Sequence, residues 1–408
     1  MRSAWIQKHE RFNFVMFFLG RSTSVLMSSV YTFAMGLYVL KMTGSGLSFA
    51  VTLSLQILPA VLIGPFAGVL ADRFNKKIIV VLTDAFQGLL FAGLFFAAGN
   101  GLTLFDIYTA TLLLAVSQTL YNVCMDSAVP NLVSGPHVLT VNSIGKIVDS
   151  AAGIVSPGLG GVLYAAMEIR YFVLLNGIAF FLSTVTECLI DFRLYNHLTP
   201  QNSGFDFKRE LAAGFDYIKK SDWIKSSLRN FVTVNFFLAL CYSVPVPYIL
   251  NNVFHLSPKA FGLVQCFSPV GMIVGALLVG KITGMMSYGK LMRISGAFCA
   301  LCLVLLGALP VFSDHVAPVL LIPYYAFVLA CSGFAVSLID IPFINHFQTR
   351  VPEELRGRSL SLSISAVKIA TPAGYILSGV MMEIFPAYFL PFCGGILLFV
   401  LYSAVKRK

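Results

Sequence analysis

Residues 64–77 read GPFAGVLADRFNKK and form a short polar connection between two long apolar runs. The stretch opens with Gly64 and Gly68, whose spacing leaves one helix face without side chains and lets a neighbouring helix approach closely. It closes with one acidic residue and three basic ones before the next apolar run begins. A short basic connection between membrane-length apolar runs is typical of a loop at the inner membrane surface.

The apolar runs on either side of this loop recur along the whole chain. Of 408 residues, 57% are hydrophobic and 11% are charged, with a mean hydropathy of +0.83, so the chain needs lipid as its solvent. We predict an all-α membrane protein of twelve transmembrane helices with little extramembrane structure. The predicted spans are 14–40, 47–70, 78–98, 104–125, 139–166, 171–190, 231–250, 260–282, 291–311, 316–347, 358–384 and 386–405.

The basic residues are distributed unevenly across these spans. With a cytoplasmic N-terminus, 22 Lys and Arg residues fall on the cytoplasmic side, three fall on the other side, and three lie within spans. The positive-inside rule therefore predicts that both termini are cytoplasmic. The formal charge of +10 thus reports topology and gives no reason to expect a nucleic-acid partner.

The chain contains a weak internal repeat. A shift of 215 residues places Pro157 and residues 167–169 over Pro372 and residues 382–384. The repeat predicts two pseudo-symmetric six-helix bundles, with a binding site at their interface. We predict an N-terminal bundle (1–195), a cytoplasmic linker with an amphipathic helix (196–229) and a C-terminal bundle (230–408).

The loop at 64–77 resembles the signature of the major facilitator superfamily, in which a Gly precedes Asp-Arg by a helical turn and a Gly and two basic residues follow. This resemblance implies a secondary transporter that works by alternating access. It also implies that Asp72 caps the start of span eleven near Gly357, and that Arg73 and Lys77 pair with Asp126 to hold the cytoplasmic side shut.

Asn75 stands where the family usually has Gly, and Asn is the best other residue for a left-handed turn. The competing interpretation of this loop is positive-inside charge with a solvated Asp72. The predicted gating residues are Gly64, Gly68, Asp72, Arg73, Asn75, Lys77 and Asp126.

Span five contains GIVSPGLGG at residues 153–161, which is similar to the Gly-Pro-x-x-Gly-Gly element of drug-exporting antiporters. The resemblance implies that Ser156, Pro157, Gly160 and Gly161 bend and seal this helix, while ordinary helix packing is the alternative. Residues 43–77 and 207–218 resemble the macrolide and siderophore efflux branch. Residues 114–120 lack the Arg that many proton-coupled exporters carry, so the coupling mechanism stays open.

Charged side chains inside predicted spans mark the candidate cavity. Each costs roughly 2.5 to 3.5 kcal/mol to insert, so it is expected to pair or to face water. These charges are Arg21, Lys146, Asp149, Asp340 and Lys368, and the polar candidates beside them are Gln118, Asn122 and Asn235. In the superfamily that this chain resembles, spans one, four, seven and ten line the cavity, which implies that Arg21 and Asp340 contact substrate or proton. We also expect a proton to bind Asp149 or Asp340.

The alternative for the same charges is a set of structural ion pairs. Arg21 or Lys146 would then pair with Asp149, and Lys368 with Asp340. Three cations against two carboxylates leave one positive charge over, unless Asp84 in span three balances it.

Other functional classes find little support. We find no HExxH, GxSxG or nucleotide-binding loop, so neither an enzyme nor an ATP-driven pump is expected. The eight cysteines behave as apolar residues, and no metal or cofactor is predicted. The resemblance to the efflux branch implies a bacterial inner-membrane exporter of amphipathic small molecules, a monomer in the lipid bilayer that works as a proton antiporter. The alternative is an uptake symporter or facilitator for a small organic anion.

Overall fold

The computed structural model describes residues 2–195, 215–310, 318–351 and 353–404, and within these ranges the regular structure is entirely helical. Residues 215–220 are also helical. The helices are α1 Arg2–Thr43, α2 Gly46–Leu62, α3 Gly64–Arg73, α4 Lys76–Ala97, α5 Leu104–Leu132, α6 Gly135–Ala166, α7 Ile169–Leu189, α8 Asp222–Leu238, α9 Pro245–Tyr248, α10 Pro258–Gln265, α11 Phe267–Met285, α12 Tyr288–Ala308, α13 Pro318–Arg350, α14 Glu353–Ile384 and α15 Phe389–Ala404.

Proline interrupts two of the predicted runs. The second run divides into α2 and α3 at Ile63, two residues before Pro65 in the first turn of α3. The seventh run passes through π-helical turns at Ala239–Ser243 and Ile249–Val253, which flank the short α9 that Pro245 begins. Proline lacks the amide hydrogen that a continuous helix requires, so the helix restarts at these positions.

Ten helical segments of the described chain are long and apolar enough to cross a membrane. Two of the predicted runs correspond to shorter apolar helices, Gly46–Leu62 and Phe389–Tyr402. The all-helical membrane architecture is therefore confirmed, whereas the count of twelve crossings and the side of the termini stay predictions.

The chain forms two compact units. The first unit comprises Met1–Tyr38 and Leu55–Gln201, and the second comprises Val39–Ser54 and Asn202–Lys408. The segment Val39–Ser54 thus belongs with the second unit, although the sequence predicts it within the N-terminal bundle. Its apolar residues Leu40, Phe49 and Ala50 are buried with Val244, which explains the assignment.

The linker predicted at 196–229 is partly described. Residues 196–214 lie outside the described ranges, and with them most of the predicted amphipathic helix. The helical residues 215–220 present one apolar side chain inward, because Ile218 packs with Ile224 and Phe343 of the second unit. Phe215 is exposed. The end of the linker is therefore anchored to the second unit through Ile218.

Candidate functional site

A charged cluster lies inside the first unit, where three helices meet. The Arg21 Nη1 atom on α1 donates to the Asp126 Oδ1 atom on α5 at 2.7 Å. Its Nη2 atom lies 3.1 Å from both carboxylate oxygens of Asp149 on α6. Arg21 therefore joins three helices through charge-assisted hydrogen bonds, which are stronger than neutral ones.

The three charges of this cluster differ in their exposure. The Arg21 side chain is 4% exposed, whereas those of Asp126 and Asp149 are 55% and 35% exposed. The guanidinium lies 6.0 Å from the centre of the Phe17 ring, one helical turn earlier on α1. Gly145 lies beside the guanidinium, since a side chain there would be in van der Waals contact with the Arg21 Nε atom at 3.4 Å. The cluster thus presents carboxylates to solvent and keeps its cation inside.

A second group of polar side chains lies deeper in the same unit. Asp84 on α4 accepts hydrogen bonds at its Oδ1 atom from Ser24 at 3.3 Å and from Gln87 at 3.0 Å. Glu187 on α7 accepts one from Ser183 at 3.3 Å. The sequence prediction includes Asp84 only as a balancing charge and omits Glu187. The sequence signal for Glu187 was its position inside the apolar run 171–190. A carboxylate at that depth costs free energy unless it has a hydrogen-bonding or charged partner.

The second unit contains a neutral polar cavity of about 250 Å³. Its polar wall residues are Asn235, Tyr242, Ser243, Ser268, Ser332, Thr371 and Tyr375, and its apolar ones include Leu238, Met272 and Val336. Asn235 and Thr371 donate to carbonyl oxygens of their own helices, Phe231 at 2.9 Å and Val367 at 2.9 Å. The predicted residue Asn235 is therefore a cavity-wall residue whose amide is held by its own helix.

Asp340 and Lys368 do not form the ion pair that the structural alternative expects. Asp340 is half-buried on α13, and Lys368 is exposed on α14. Within the described chain neither residue has a salt bridge. The long lysine stem allows the ammonium group to stay in water. No cation of the described residues therefore balances the Asp340 carboxyl group.

The predicted gating pair between Lys77 and Asp126 is absent. Asp126 pairs with Arg21, while the Lys77 Nζ atom donates to the carbonyl oxygens of Cys188 at 2.7 Å and Ile190 at 2.9 Å. These carbonyls belong to the C-terminal end of α7, where unpaired acceptors and the helix dipole attract a cation. The side chains of Asp72, Arg73 and Lys146 lie outside the described part of the chain.

The prediction of a left-handed turn at Asn75 is wrong. Its φ is −65° and its ψ is 109°, and its side chain accepts a hydrogen bond from the Lys77 amide at 3.0 Å. Asn75 is thus the N-cap of α4, a position that Asn favours. The close helix approach predicted at Gly64 and Gly68 is also not found, because a side chain added there would meet no described atom within 4 Å.

The remaining predicted residues lie within helix contacts of the first unit. Gln118 donates to Asn122 at 3.3 Å within α5. Ser156 and Gly161 are buried, and α6 continues through Pro157. A side chain on Gly160 would stand 3.3 Å from the carbonyl oxygen of Val30, so this glycine packs α6 against α1. A function of this segment in export stays a prediction.

Comparisons with known proteins agree with this architecture. Residues 17–375 match the model of the Major Facilitator Superfamily. Macrolide efflux protein A of Streptococcus pyogenes is 22% identical over 387 residues, which make up 91% of this chain and 90% of that protein. Enterobactin exporter EntS of Citrobacter koseri is 26% identical over 374 residues, 88% of this chain and 83% of that protein.

Solved structures show the same fold. A variant of the nucleoside transporter NupG superposes with a TM-score of 0.77 at 12% identity, over 97% of this chain and 100% of that one. A bacterial homologue of the iron transporter ferroportin gives a TM-score of 0.70 at 15% identity, over 97% and 99% of the two chains. At sequence identities this low, the structural similarity shows the fold and does not identify the substrate.

Proposed function

Because this chain belongs to the Major Facilitator Superfamily, whose members are membrane transporters, we propose that it exports amphipathic small molecules in exchange for protons. The proposed substrates are of the macrolide or siderophore type, and the proposed site is the bacterial cell membrane. Efflux relatives with 22% to 26% identity over most of both chains support this direction and these substrates. We further propose twelve crossings, cytoplasmic termini and a monomer.

The observation that carries the proton-exchange proposal is the arrangement around Arg21. A buried guanidinium holds two partly exposed carboxylates, Asp126 at 2.7 Å and Asp149 at 3.1 Å. Protonation of either carboxylate removes one of the two attractions on Arg21, and it thereby loosens a contact between helices. A proton that binds from outside and leaves inside would thus alternate the packing of α1 against α5 and α6.

The polar cavity of the second unit supports the proposal for the substrate. Hydroxyl and amide groups alternate there with Leu238, Met272 and Val336, a lining that suits a molecule with both apolar and hydrogen-bonding parts. Asp340 lies one helical turn beyond Val336 on α13. It is the second proposed proton-binding residue.

The alternative of organic-anion uptake depends on an excess of cations within the spans. Among the described side chains of the first unit, Arg21 instead holds two carboxyl groups, Asp126 and Asp149, and Asp84 and Glu187 add two more. An acidic surplus favours the binding of protons or cations over that of anions. Proton-driven export is therefore the better supported of the two functions.

The experiment that tests the proposal uses inside-out membrane vesicles with an imposed pH gradient, acid inside. Addition of erythromycin or enterobactin should release protons and load the vesicles with substrate, as followed by a pH-sensitive dye and by radiolabel. Asp149→Asn or Asp340→Asn should reduce gradient-driven loading at least tenfold, and Asp106→Asn, an exposed cap at the start of α5, serves as the control. Undiminished coupling in both Asp149→Asn and Asp340→Asn would overturn the assignment of these residues as proton-binding.

A further inference from the structure

Two carboxyl groups of the first unit lie together in a fully buried position. Asp84 and Glu187 are both 0% exposed, and their carboxyl groups are within hydrogen-bonding reach of each other. They come from α4 and α7, which pack side by side along the unit. This pair is separate from the Arg21 contacts with Asp126 and Asp149 described above.

The hydrogen bonds of the pair reach only one oxygen of each carboxyl group. The Asp84 Oδ1 atom accepts from Ser24 and Gln87, and the Glu187 Oε1 atom accepts from Ser183. The second oxygen of each carboxyl group, Asp84 Oδ2 and Glu187 Oε2, is buried and accepts no short hydrogen bond within the described residues. Two buried carboxyl groups so close together hold a proton, because they do not both remain ionised.

The titratable neighbour of the pair is a hydroxyl group. Tyr121 on α5 adjoins Glu187 and is fully buried. Among the described cations, Arg21 is held by Asp126 and Asp149. The partners on α1 are neutral, since Ser24 bonds Asp84 and the carbonyl oxygen of Gly20 accepts from Ser183 at 3.0 Å.

These contacts connect the pair to the helical turn that carries Arg21. Gly20 and Ser24 flank Arg21 on α1, and both are bonded to the group around Asp84 and Glu187. Gly20 also allows α7 to approach, because a side chain there would stand 2.7 Å from the Thr186 Oγ1 atom. A change in the charge of the pair therefore acts on the segment that sets the position of the guanidinium.

We propose that Asp84 and Glu187 form a further proton-binding site, which holds one shared proton and exchanges it during transport. When the O–H bond of the protonated carboxyl breaks and the proton leaves to solvent, the charge of the pair changes from −1 to −2. The added negative charge then competes with Asp126 and Asp149 for Arg21. The exchange during transport rests on the proposed proton antiport, while the shared proton itself does not.

The first experiment measures the proton without transport. Infrared difference spectra of purified protein in lipid nanodiscs, recorded during a pH titration, should contain the stretching band of a protonated carboxyl group that is lost as the pH rises. Asp84→Asn and Glu187→Gln, which keep shape and hydrogen bonding, should each remove this band, while the exposed Asp106→Asn should leave it in place. A band that persists in both dyad variants would overturn the site.

The second experiment separates the site from the transport function. In vesicles, Asp84→Asn and Glu187→Gln should retain erythromycin binding and reduce uptake driven by the pH gradient at least tenfold. If the band titrates as expected but gradient-driven uptake in the two variants equals that of the wild type, the exchange during transport is refuted. If the wild-type protein itself moves no substrate, the proposed function fails, and the infrared titration still decides whether the pair holds a proton.

Discussion

The two units of this transporter solve the problem of polar groups in a membrane protein differently. In the first unit, charged side chains from several helices bond to one another, with Arg21 joined to Asp126 and Asp149. In the second unit, the cavity-wall residues Asn235 and Thr371 bond to the backbone of their own helices. The comparison teaches that one unit can respond to charge as a whole, whereas the other offers independent groups to a ligand.

The helices of the second unit are joined by close backbone contact where the first unit uses charges. A side chain at Gly271 on α11 would overlap the backbone of Ala330 on α13, and one at Gly333 would overlap that of Ser268. Backbone cannot move aside as a flexible side chain does. Small residues at this crossing therefore replace the ion pairs of the first unit.

The largest effect is expected from Gly271→Ala. The added methyl group should force α11 and α13 apart, and the yield of folded protein in fluorescence-detected size-exclusion chromatography should fall at least tenfold. Gly280→Ala on the same helix is the matched control, because a side chain there meets nothing within 4 Å. Equal yields for the two variants would show that this crossing does not hold the second unit together.

Arg21→Met should have the next largest effect, and it tests the first unit. The substitution keeps the apolar stem and removes the guanidinium that joins Asp126 to Asp149. We expect a loss of about 3 kcal/mol in stability, at the low end for a broken buried pair because both carboxylates reach solvent. Thermal unfolding measures it, with the exposed Arg11→Met as the control. A melting temperature equal to that of the control would show that the Arg21 contacts do not stabilise the first unit.

Substitutions in the cavity wall of the second unit should be milder. Ser332→Ala and Thr371→Val each remove one neutral hydrogen-bonding group from the wall. We expect KM for an exported macrolide to change about two- to fivefold, since a neutral hydrogen bond contributes about 0.5 to 1.5 kcal/mol. Stability should not change. Ser295→Ala, buried on α12 away from this cavity, should leave KM unchanged, and a lowered melting temperature in the wall variants would argue against independent groups.

The smallest effect is expected at Asn75, which lies outside both polar systems. Asn75→Ala should cost about 1 kcal/mol because the N-cap bond to the Lys77 amide is lost, and Asn75→Gly only a few tenths. Thermal unfolding of the two variants side by side measures this difference. A melting temperature of Asn75→Gly above that of the wild type would contradict the N-cap role, because it would indicate a left-handed turn at this position.

Several features of the site were predictable because they follow from the cost of burying charge. Arg21 and Asp149 stand out in apolar runs, and their pairing was one of the alternatives considered. Asp126 was expected to pair with Arg73 and Lys77, of which Lys77 bonds elsewhere and the Arg73 side chain lies outside the described part of the chain. That error has a physical cause: sequence shows which residues need partners, while the partner depends on which helix ends approach each other. The Lys77 ammonium group instead donates hydrogen bonds to backbone carbonyls at the end of α7.

The sequence by itself determined the class of protein, the helical architecture and the family, because apolar content, run length and loop charge act locally and are present in the order of residues. Only the tertiary structure decided that Glu187 meets Asp84, that Asp340 stays apart from Lys368, and that Val39–Ser54 joins the second unit. Such pairings depend on helix rotation and approach over distances of a few ångströms. Long-range packing sets these quantities, and no local pattern of residues encodes them.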